Sequence, residues 1–298
     1  MDIKLYIKAA RPFSFTVSFV PPALALVLAW AQIPNFYPKW SLFVLTFLGG
    51  FLAHAGSNIL SDYFDYKKGI DRPGTYGSSG VLVNSEMTPS QVLNLALFCF
   101  LSASIIGLAI MISIPNGFSL LWLVAAGGFL GFFYTTPPFI LKYRAWGDFA
   151  VFMAFGPLMT LGGYFVQTGI YSIKPFLLAF PVAMIVDAIL HANNIRDIEN
   201  DKRCQIKTVA GILGKEKAIG MYEILLYGSY VFIILFVAVK MIHPYSLLAL
   251  FSLPLAKSNI EKLKGEKIPP DADAMTAKLH SAFSVLLMAG LFLGKIFR

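Results

Sequence analysis

Two short runs of this 298-residue sequence gather the residue types that handle phosphate and metal. Residues 58–71 carry Asn58, Asp62, Asp65 and Asp71 with Lys67 and Lys68 between them, and Arg72 follows directly. Residues 193–201 carry Asn193, Asn194, Arg196, Asp197, Glu199 and Asp201, with Lys202, Arg203 and Lys207 close behind. On a helix, Asn58, Asp62 and Asp65 stand at i, i+4 and i+7, and Asn194, Asp197 and Asp201 at i, i+3 and i+7, so each set occupies one face. A spacing of 136 residues separates both Asn58 from Asn194 and Asp65 from Asp201. The pattern reads as a parallel internal repeat with two facing carboxylate sets.

Clustered carboxylates repel one another until cations neutralise them. Hard oxygen donors that only partly fill a coordination shell suit Mg²⁺ bridging to phosphate oxygens. Interleaved lysines and arginines supply direct donors to the same oxygens. The expected chemistry is therefore metal-assisted handling of a diphosphate. Either cluster alone reads equally well as ion pairs capping a helix at the membrane edge; two copies on helices of the same direction favour the metal site.

Other polar features are less specific. The glycine-rich stretch 72–80 lacks the Gly-Lys-Ser/Thr arrangement of a nucleotide loop and reads as a flexible lid. Tyr134 leads through two prolines to Lys142 and Arg144, a short basic loop. An aromatic acid entering a site rimmed by aspartates needs a cation for its carboxylate, and Lys142, Arg144 and Arg196 are the candidates. Arg196 adjoins Asp197 and is assigned to the diphosphate, which leaves Arg144 for the acceptor. His54 and His191 read as packed, hydrogen-bonded residues. Asp187, ten residues before Asp197, points about 80° away from it and lies about two turns deeper; it faces either the acceptor end of a cavity or a polar neighbour. Cys99 and Cys204 offer no disulfide framework and no metal spacing.

The elements that position these groups are membrane helices. The chain is 57% hydrophobic and 13% charged, with a mean hydropathy of +0.69, where a soluble domain carries about 25% charged residues. That excludes an ordinary soluble enzyme. The net charge of +8 is spread beside apolar segments, so it points to an anionic membrane surface or substrate and not to nucleic acid. Apolar stretches near the ~20 residues that cross a bilayer predict nine helices, at 13–33, 40–60, 92–114, 118–136, 149–168, 175–195, 219–239, 244–256 and 279–294; the eighth is short enough to be re-entrant. The fold expected is all-α and polytopic, one domain over residues 1–298. With the N-terminus inside, nineteen of the 24 lysines and arginines lie on the inner side, and only Lys39, Lys174, Lys240, Lys295 and Arg298 on the outer. Positively charged loops stay in the cytoplasm, so both acidic clusters belong to the cytoplasmic face, and an odd helix count leaves the C-terminus outside. This is an integral, multi-pass protein of the inner or plasma membrane if the source is prokaryotic.

These residues resemble the UbiA-type intramembrane aromatic prenyltransferases. Residues 58–71 resemble the first Asp-rich motif of that family, and Val83 to Pro89 the segment after it. The most specific match runs from Asn193 to Asp201 and on through Lys207, Thr208, Leu213 and Gly214. Thr276 to His280 resembles the start of the last helix, and Tyr134-Thr135, Tyr143-Arg144 and Arg11-Pro12 also fit. The likeness covers nearly the whole chain and is strongest to the branch that prenylates 1,4-dihydroxy-2-naphthoate. Ser61 departs from the pattern where an Asn often precedes the first Asp. Gln205 and Ile206 interrupt the basic stretch before Lys207, and Val209 to Ile212 replace a commoner Leu-Ala-Val-Arg.

The resemblance implies nine helices around a central cavity with a cytoplasmic mouth. It implies two Mg²⁺ ions and transfer of a polyprenyl group from its diphosphate to a small aromatic acceptor, here 1,4-dihydroxy-2-naphthoate, with loss of the acceptor's carboxylate to give demethylmenaquinone. Asp62, Asp65, Asp197 and Asp201 take the catalytic role, and with Asn58 and Asn194 they form the metal set. Lys67, Lys68, Arg72, Arg196, Lys202 and Lys207 take the diphosphate, and Arg144, Lys142 and Asp71 the acceptor. No protein nucleophile and no obligate protein partner is required. The competing readings are the same chemistry on 4-hydroxybenzoate or a glycerol phosphate lipid, and a secondary transporter, against which the carboxylates sit at the membrane edge and not its midplane.

Overall fold

The computed structural model describes residues 3–11 and 14–297. Pro12, Phe13 and Arg298, which the sequence reading used, lie outside the described residues. A short helix α1 (Ile3–Ala9) precedes α2 (Phe15–Gln32), α3 (Trp40–Lys67), α4 (Pro89–Ser113) and α5 (Leu121–Phe132). Then follow α6 (Gly147–Met153) and α7 (Met159–Thr168), joined by a π-turn at Ala154–Leu158 that contains Pro157. Next come α8 (Ile173–Leu178), α9 (Phe180–Arg203), α10 (Val209–Leu213), α11 (Lys215–Ala238), α12 (Leu253–Lys264) and α13 (Ala272–Ile296). Among the described residues there is no strand, and one isolated backbone bridge joins Arg144 to Lys207.

Among the described residues, seven segments are long and apolar enough to cross a membrane: Phe15–Gln32, Trp40–Lys67, Pro89–Ser113, Gly147–Thr168, Ile173–Arg203, Lys215–Ala238 and Ala272–Ile296. The two other expected spans hold shorter elements. Gly117–Phe132 is a shorter apolar helix. At 244–256 the chain forms a 3₁₀ stretch, Pro244–Ser252, and then α12, which continues to Lys264 with Lys257, Glu261 and Lys262 along it. The expected end at 256 is too early there, because charged residues at helical spacing extend α12 past the apolar run.

Helix α3 matters most to function. Its 28 residues span about 42 Å at 1.5 Å each, more than the ~30 Å hydrocarbon core. It is therefore long enough to carry Asp62 and Asp65, in its last turns, past an apolar layer of that thickness. Helix α9 ends the same way, with Asp197 and Asp201 in its final turns. The main core packs α2, α9, α11 and α13 through Leu24, Leu28, Ile185, Tyr222, Leu226 and Phe283, all buried. A second core ties α3 and α4 to the loop after α3 through Ile59, Tyr63, Val81 and Val92. The α4 start is fixed by a capping box, in which the Thr88 side chain accepts from the Gln91 N–H and the Gln91 side chain from the Thr88 N–H.

Candidate active site at the carboxylate end of the bundle

Each aspartate on the α3 face has acquired partners from distant segments. Asp62 accepts from the Arg11 guanidinium, from the Ser79 hydroxyl and from the Ser79 N–H at 3.0 Å. Asp65 accepts from Lys142 Nζ at 2.6 Å, Tyr143 OH at 2.6 Å and Ser61 Oγ at 3.1 Å. Burial alone would lower the Lys142 pKa, but Asp65, with Tyr134 and Asp71, outweighs it and the ammonium is held well above its ordinary value. Burial and Asp65 together raise the Tyr143 phenol, which stays a donor. The Ser61 hydroxyl also accepts from Lys142 at 3.2 Å. Asn58 donates to Ser14 Oγ at 3.3 Å and to His54 Nε2 at 3.2 Å, while His54 Nδ1 lies 2.7 Å from Ser18 Oγ.

On α9, Arg196 forks onto its neighbour Asp197, with Nε to Oδ1 at 2.9 Å and Nη2 to Oδ2 at 2.8 Å. It also donates to Asn193 and to the Pro270 carbonyl at 2.9 Å, and lies 3.4 Å from Asp273. The Tyr76 ring covers it at 5.3 Å. Asp201 accepts from Thr208 Oγ1 at 3.3 Å, and Asn200 from Arg72 at 2.6 Å. Gly77, at φ +88°, lies so near Asn193 and Arg196 that a Cβ there would meet both at 3.3 Å. The 72–80 stretch is thus laid across both helix ends, with Ser79 on the α3 side and Arg72, Tyr76 and Gly77 on the α9 side.

The two faces meet in one cavity of about 410 Å³, lined at its polar end by Asn58, Asp65, Asp71, Lys142, Asn194, Asp197 and Asp201, with Arg11. Its body is apolar and glycine-rich, reaching Gly127, Gly128, Leu123, Met159 and Val166. Asp62 lies behind this wall under Arg11 and Ser79. Several residues assigned from sequence are absent from the lining. Lys67 lies over the Tyr63 ring and Lys68 over the Tyr143 ring, at 4.6 and 3.7 Å. Lys202 pairs with Glu199 on the surface. Arg144 and Lys207 are exposed.

Asp71 shows the electrostatic state of this end. It is 8% exposed, and its Oδ2 is buried with no hydrogen-bond partner. Burial, with Asp65 and Asp62 nearby, pushes its carboxyl up to about 7, against the pull of Lys142 and Arg11. Six carboxylates (Asp62, Asp65, Asp71, Asp197, Asp201 and Asp273) thus share three cations, Arg11, Lys142 and Arg196, and the donors in excess are hard oxygens. That donor chemistry fits a divalent cation such as Mg²⁺, although among the described residues no three acidic, histidine or cysteine side chains are gathered around one point.

A model of the UbiA prenyltransferase family matches residues 18–282. The chain belongs to that family. It is 29% identical over 288 residues to a 1,4-dihydroxy-2-naphthoate octaprenyltransferase of Bacillus subtilis, covering 95% of this chain and 90% of that one. It is 31% identical over 293 residues to the UbiA prenyltransferase domain-containing protein 1 of Homo sapiens, covering 97% and 83%. A solved UbiA homolog from Archaeoglobus fulgidus bound to GPP and Mg²⁺ shares the fold at a TM-score of 0.70 and 17% identity, covering 98% and 99%.

As a UbiA-family prenyltransferase the chain uses more of itself at this end than the two motifs. Arg11, Ser79 and Asp273 touch the motif residues although none is assigned to the site from sequence: Arg11 enters only through the Arg11-Pro12 likeness, Ser79 reads as lid filler, and Asp273 as a polar helix start. Both histidines are held as packed residues, His191 by Asp148 at 2.9 Å and by the Ala218 carbonyl at 3.0 Å.

Proposed function

We propose that this prenyltransferase transfers a polyprenyl group from an allylic polyprenyl diphosphate to 1,4-dihydroxy-2-naphthoate, with loss of the acceptor's carboxylate, to give the quinol form of demethylmenaquinone. The observation that carries the reading is a single cavity with an acidic, amide-bearing end and an apolar, glycine-lined body. The first suits a diphosphate with Mg²⁺, the second an isoprenoid tail. The similarity to the Bacillus subtilis enzyme over nearly the whole chain supports the acceptor.

In the proposed reaction the C1–O bond of the allylic diphosphate breaks, and diphosphate leaves with the bonding pair. The electron-rich ring attacks C1 at the carbon bearing the carboxylate, which departs as CO₂. Two Mg²⁺ ions, when bound, neutralise the diphosphate as charge builds on it. Asp62, Asp65, Asp197 and Asp201, with Asn58 and Asn194, are the residues proposed to hold them. Arg11, Lys142 and Arg196, already among these carboxylates, are proposed to donate to phosphate oxygens, and Lys142 also to the acceptor's carboxylate. The apolar body excludes water that would otherwise capture the allylic carbon. We further propose nine membrane crossings, with the carboxylate end cytoplasmic and the C-terminus outside.

The test is a product assay with purified protein, Mg²⁺, polyprenyl diphosphates of several lengths, and 1,4-dihydroxy-2-naphthoate, 4-hydroxybenzoate and a glycerol phosphate lipid as acceptors. The expected result is a prenylated, decarboxylated naphthoquinol formed only with Mg²⁺. Preference for another acceptor overturns the naphthoate assignment. Substrate flux in proteoliposomes without any prenyl transfer overturns the whole reading.

A further inference from the structure

The opposite end of the bundle carries a second cavity, of about 150 Å³, where α2, α11 and α13 finish and α8 begins. Lys174, Lys240, Lys295, His243 and Gln32 line it. Three of the five basic residues that the sequence assigns to this end therefore converge on one small cavity. No aspartate or glutamate occurs in the segments 33–39, 114–117, 169–174, 239–244 or 295–297, so the lysines have no acidic side chain of these described segments to pair with. Positive charge is disfavoured on the outer side of a membrane protein; the helix C-termini that finish here offset part of it, and three converging lysines with no acidic side chain beside them leave room for an anionic ligand.

The free valences of the lining are donors. Lys174 and Lys240 form no ion pair among the described residues. Gln32 Nε2 is a buried donor with no partner, while its Oε1 faces Tyr164 OH at 3.4 Å. His243 Nδ1 accepts from the Tyr245 N–H at 3.3 Å, which leaves Nε2 as the N–H. Lys295 donates to the Trp30 and Ile33 carbonyls at 2.5 and 2.6 Å, closing the end of α2 with one N–H remaining. Main-chain carbonyls also reach this end, because three helices finish here, but the side-chain groups left unengaged are donors, which fits an oxyanion. Its surroundings are lipid-like, because Val239, Phe292, Ile296 and Ile173 are exposed around it.

We infer that this cavity binds the phosphate of an anionic phospholipid, with Lys174 and Lys240 as the principal cations and the exposed apolar side chains beside the acyl chains. The site is separate from the proposed reaction centre, so its occupancy changes lipid retention and thermal stability and leaves turnover nearly unchanged.

The test compares wild-type full-length protein with the double variant Lys174→Gln/Lys240→Gly. Lys240 sits at φ +58° just past α11, a conformation that glycine adopts more readily than lysine, so this substitution removes the charge without straining the turn. Both proteins are placed in phosphatidylcholine micelles, titrated with phosphatidylglycerol or with inorganic phosphate, and read by native mass spectrometry and thermal unfolding. Wild type is expected to retain phosphatidylglycerol over phosphatidylcholine and to gain thermal stability. The double variant is expected to bind it roughly tenfold more weakly or worse, with turnover within about twofold. Equal phosphatidylglycerol retention by both proteins overturns the inference. Equal protection of wild type by inorganic phosphate overturns its lipid half.

Discussion

Replacing Asp71 by asparagine tests the charge state of the carboxylate end directly. The carboxyl is buried, leaves one oxygen unpartnered, and is pushed up to about 7 by burial and by Asp65 and Asp62, from an ordinary 3.8. Between those two pH values the native protein keeps a proton that the unfolded chain has lost. Stability therefore falls as pH rises through this window, and the loss is complete above the folded value. Three pH units at about 1.4 kcal/mol each amount to about 4 kcal/mol. The substitution Asp71→Asn keeps the shape of the side chain and leaves it no proton to lose, so it removes this pH-dependent part. The advantage of Asp71→Asn over wild type should grow by about 3 kcal/mol between pH 5 and pH 8, or roughly 6–12 °C at 2–4 °C per kcal/mol. The assay is the thermal midpoint of substrate-free protein in detergent, followed by tryptophan fluorescence across that pH range. Added Mg²⁺ at pH 8 should narrow the gap by stabilising wild type more than the variant. Parallel pH profiles for the two proteins refute the reasoning, since they place no buried, proton-binding carboxyl at Asp71.

Four other outcomes follow from the same geometry. Asp65→Ala and Asp197→Ala should each reduce turnover at least about a hundredfold while the protein still inserts and purifies; near-normal turnover in both removes the metal-site reading. Lys142→Met leaves Asp65 without its buried cation, so it should cost about 3–5 kcal/mol, seen as a lower thermal midpoint, whereas an unchanged midpoint denies the pairing. Gly128 has open space where a Cβ would stand and lines the apolar body, so Gly128→Phe should shift use toward shorter prenyl diphosphates; an unaltered chain-length profile moves the tail elsewhere. A cysteine introduced at Ser78, with Cys99 and Cys204 replaced, should react with an impermeant thiol reagent only from the cytoplasmic face, and labelling from outside inverts the proposed orientation.

The motif faces were legible because helical spacing is local. Asn58, Asp62 and Asp65 needed only that α3 continue past Leu60, and it continues to Lys67. The cations were not legible, for the same reason in reverse. Lys67 and Lys68 adjoin Asp65 in sequence, but at i+2 and i+3 they turn to the Tyr63 and Tyr143 rings. The cation that does reach Asp65 is Lys142, 77 residues away. Arg11 reaches Asp62 across 51 residues, a pairing set by how α1 and α2 pack and not by any pattern near either residue. Arg196 is the exception, since its partner Asp197 is adjacent.

The three pairings also constrain how a metal-bound diphosphate can enter. Asp62, Asp65 and Asp197 each already hold a cation, donated by the segment before α2, the loop before α6 and α9 itself. A carboxylate forked by arginine has few lone pairs left for a metal. On the proposed function the same guanidinium and ammonium groups would turn from carboxylate to phosphate oxygens, which would leave the carboxylates as the residues able to hold Mg²⁺. The exchange keeps the charge near balance at each step, which neither bare carboxylates nor bare phosphates in an apolar cavity would allow. It also ties the lid to the substrate. Ser79 shares Asp62 with Arg11, and Tyr76 covers Arg196, so the 72–80 stretch rests on two of the three pairs that the diphosphate must open.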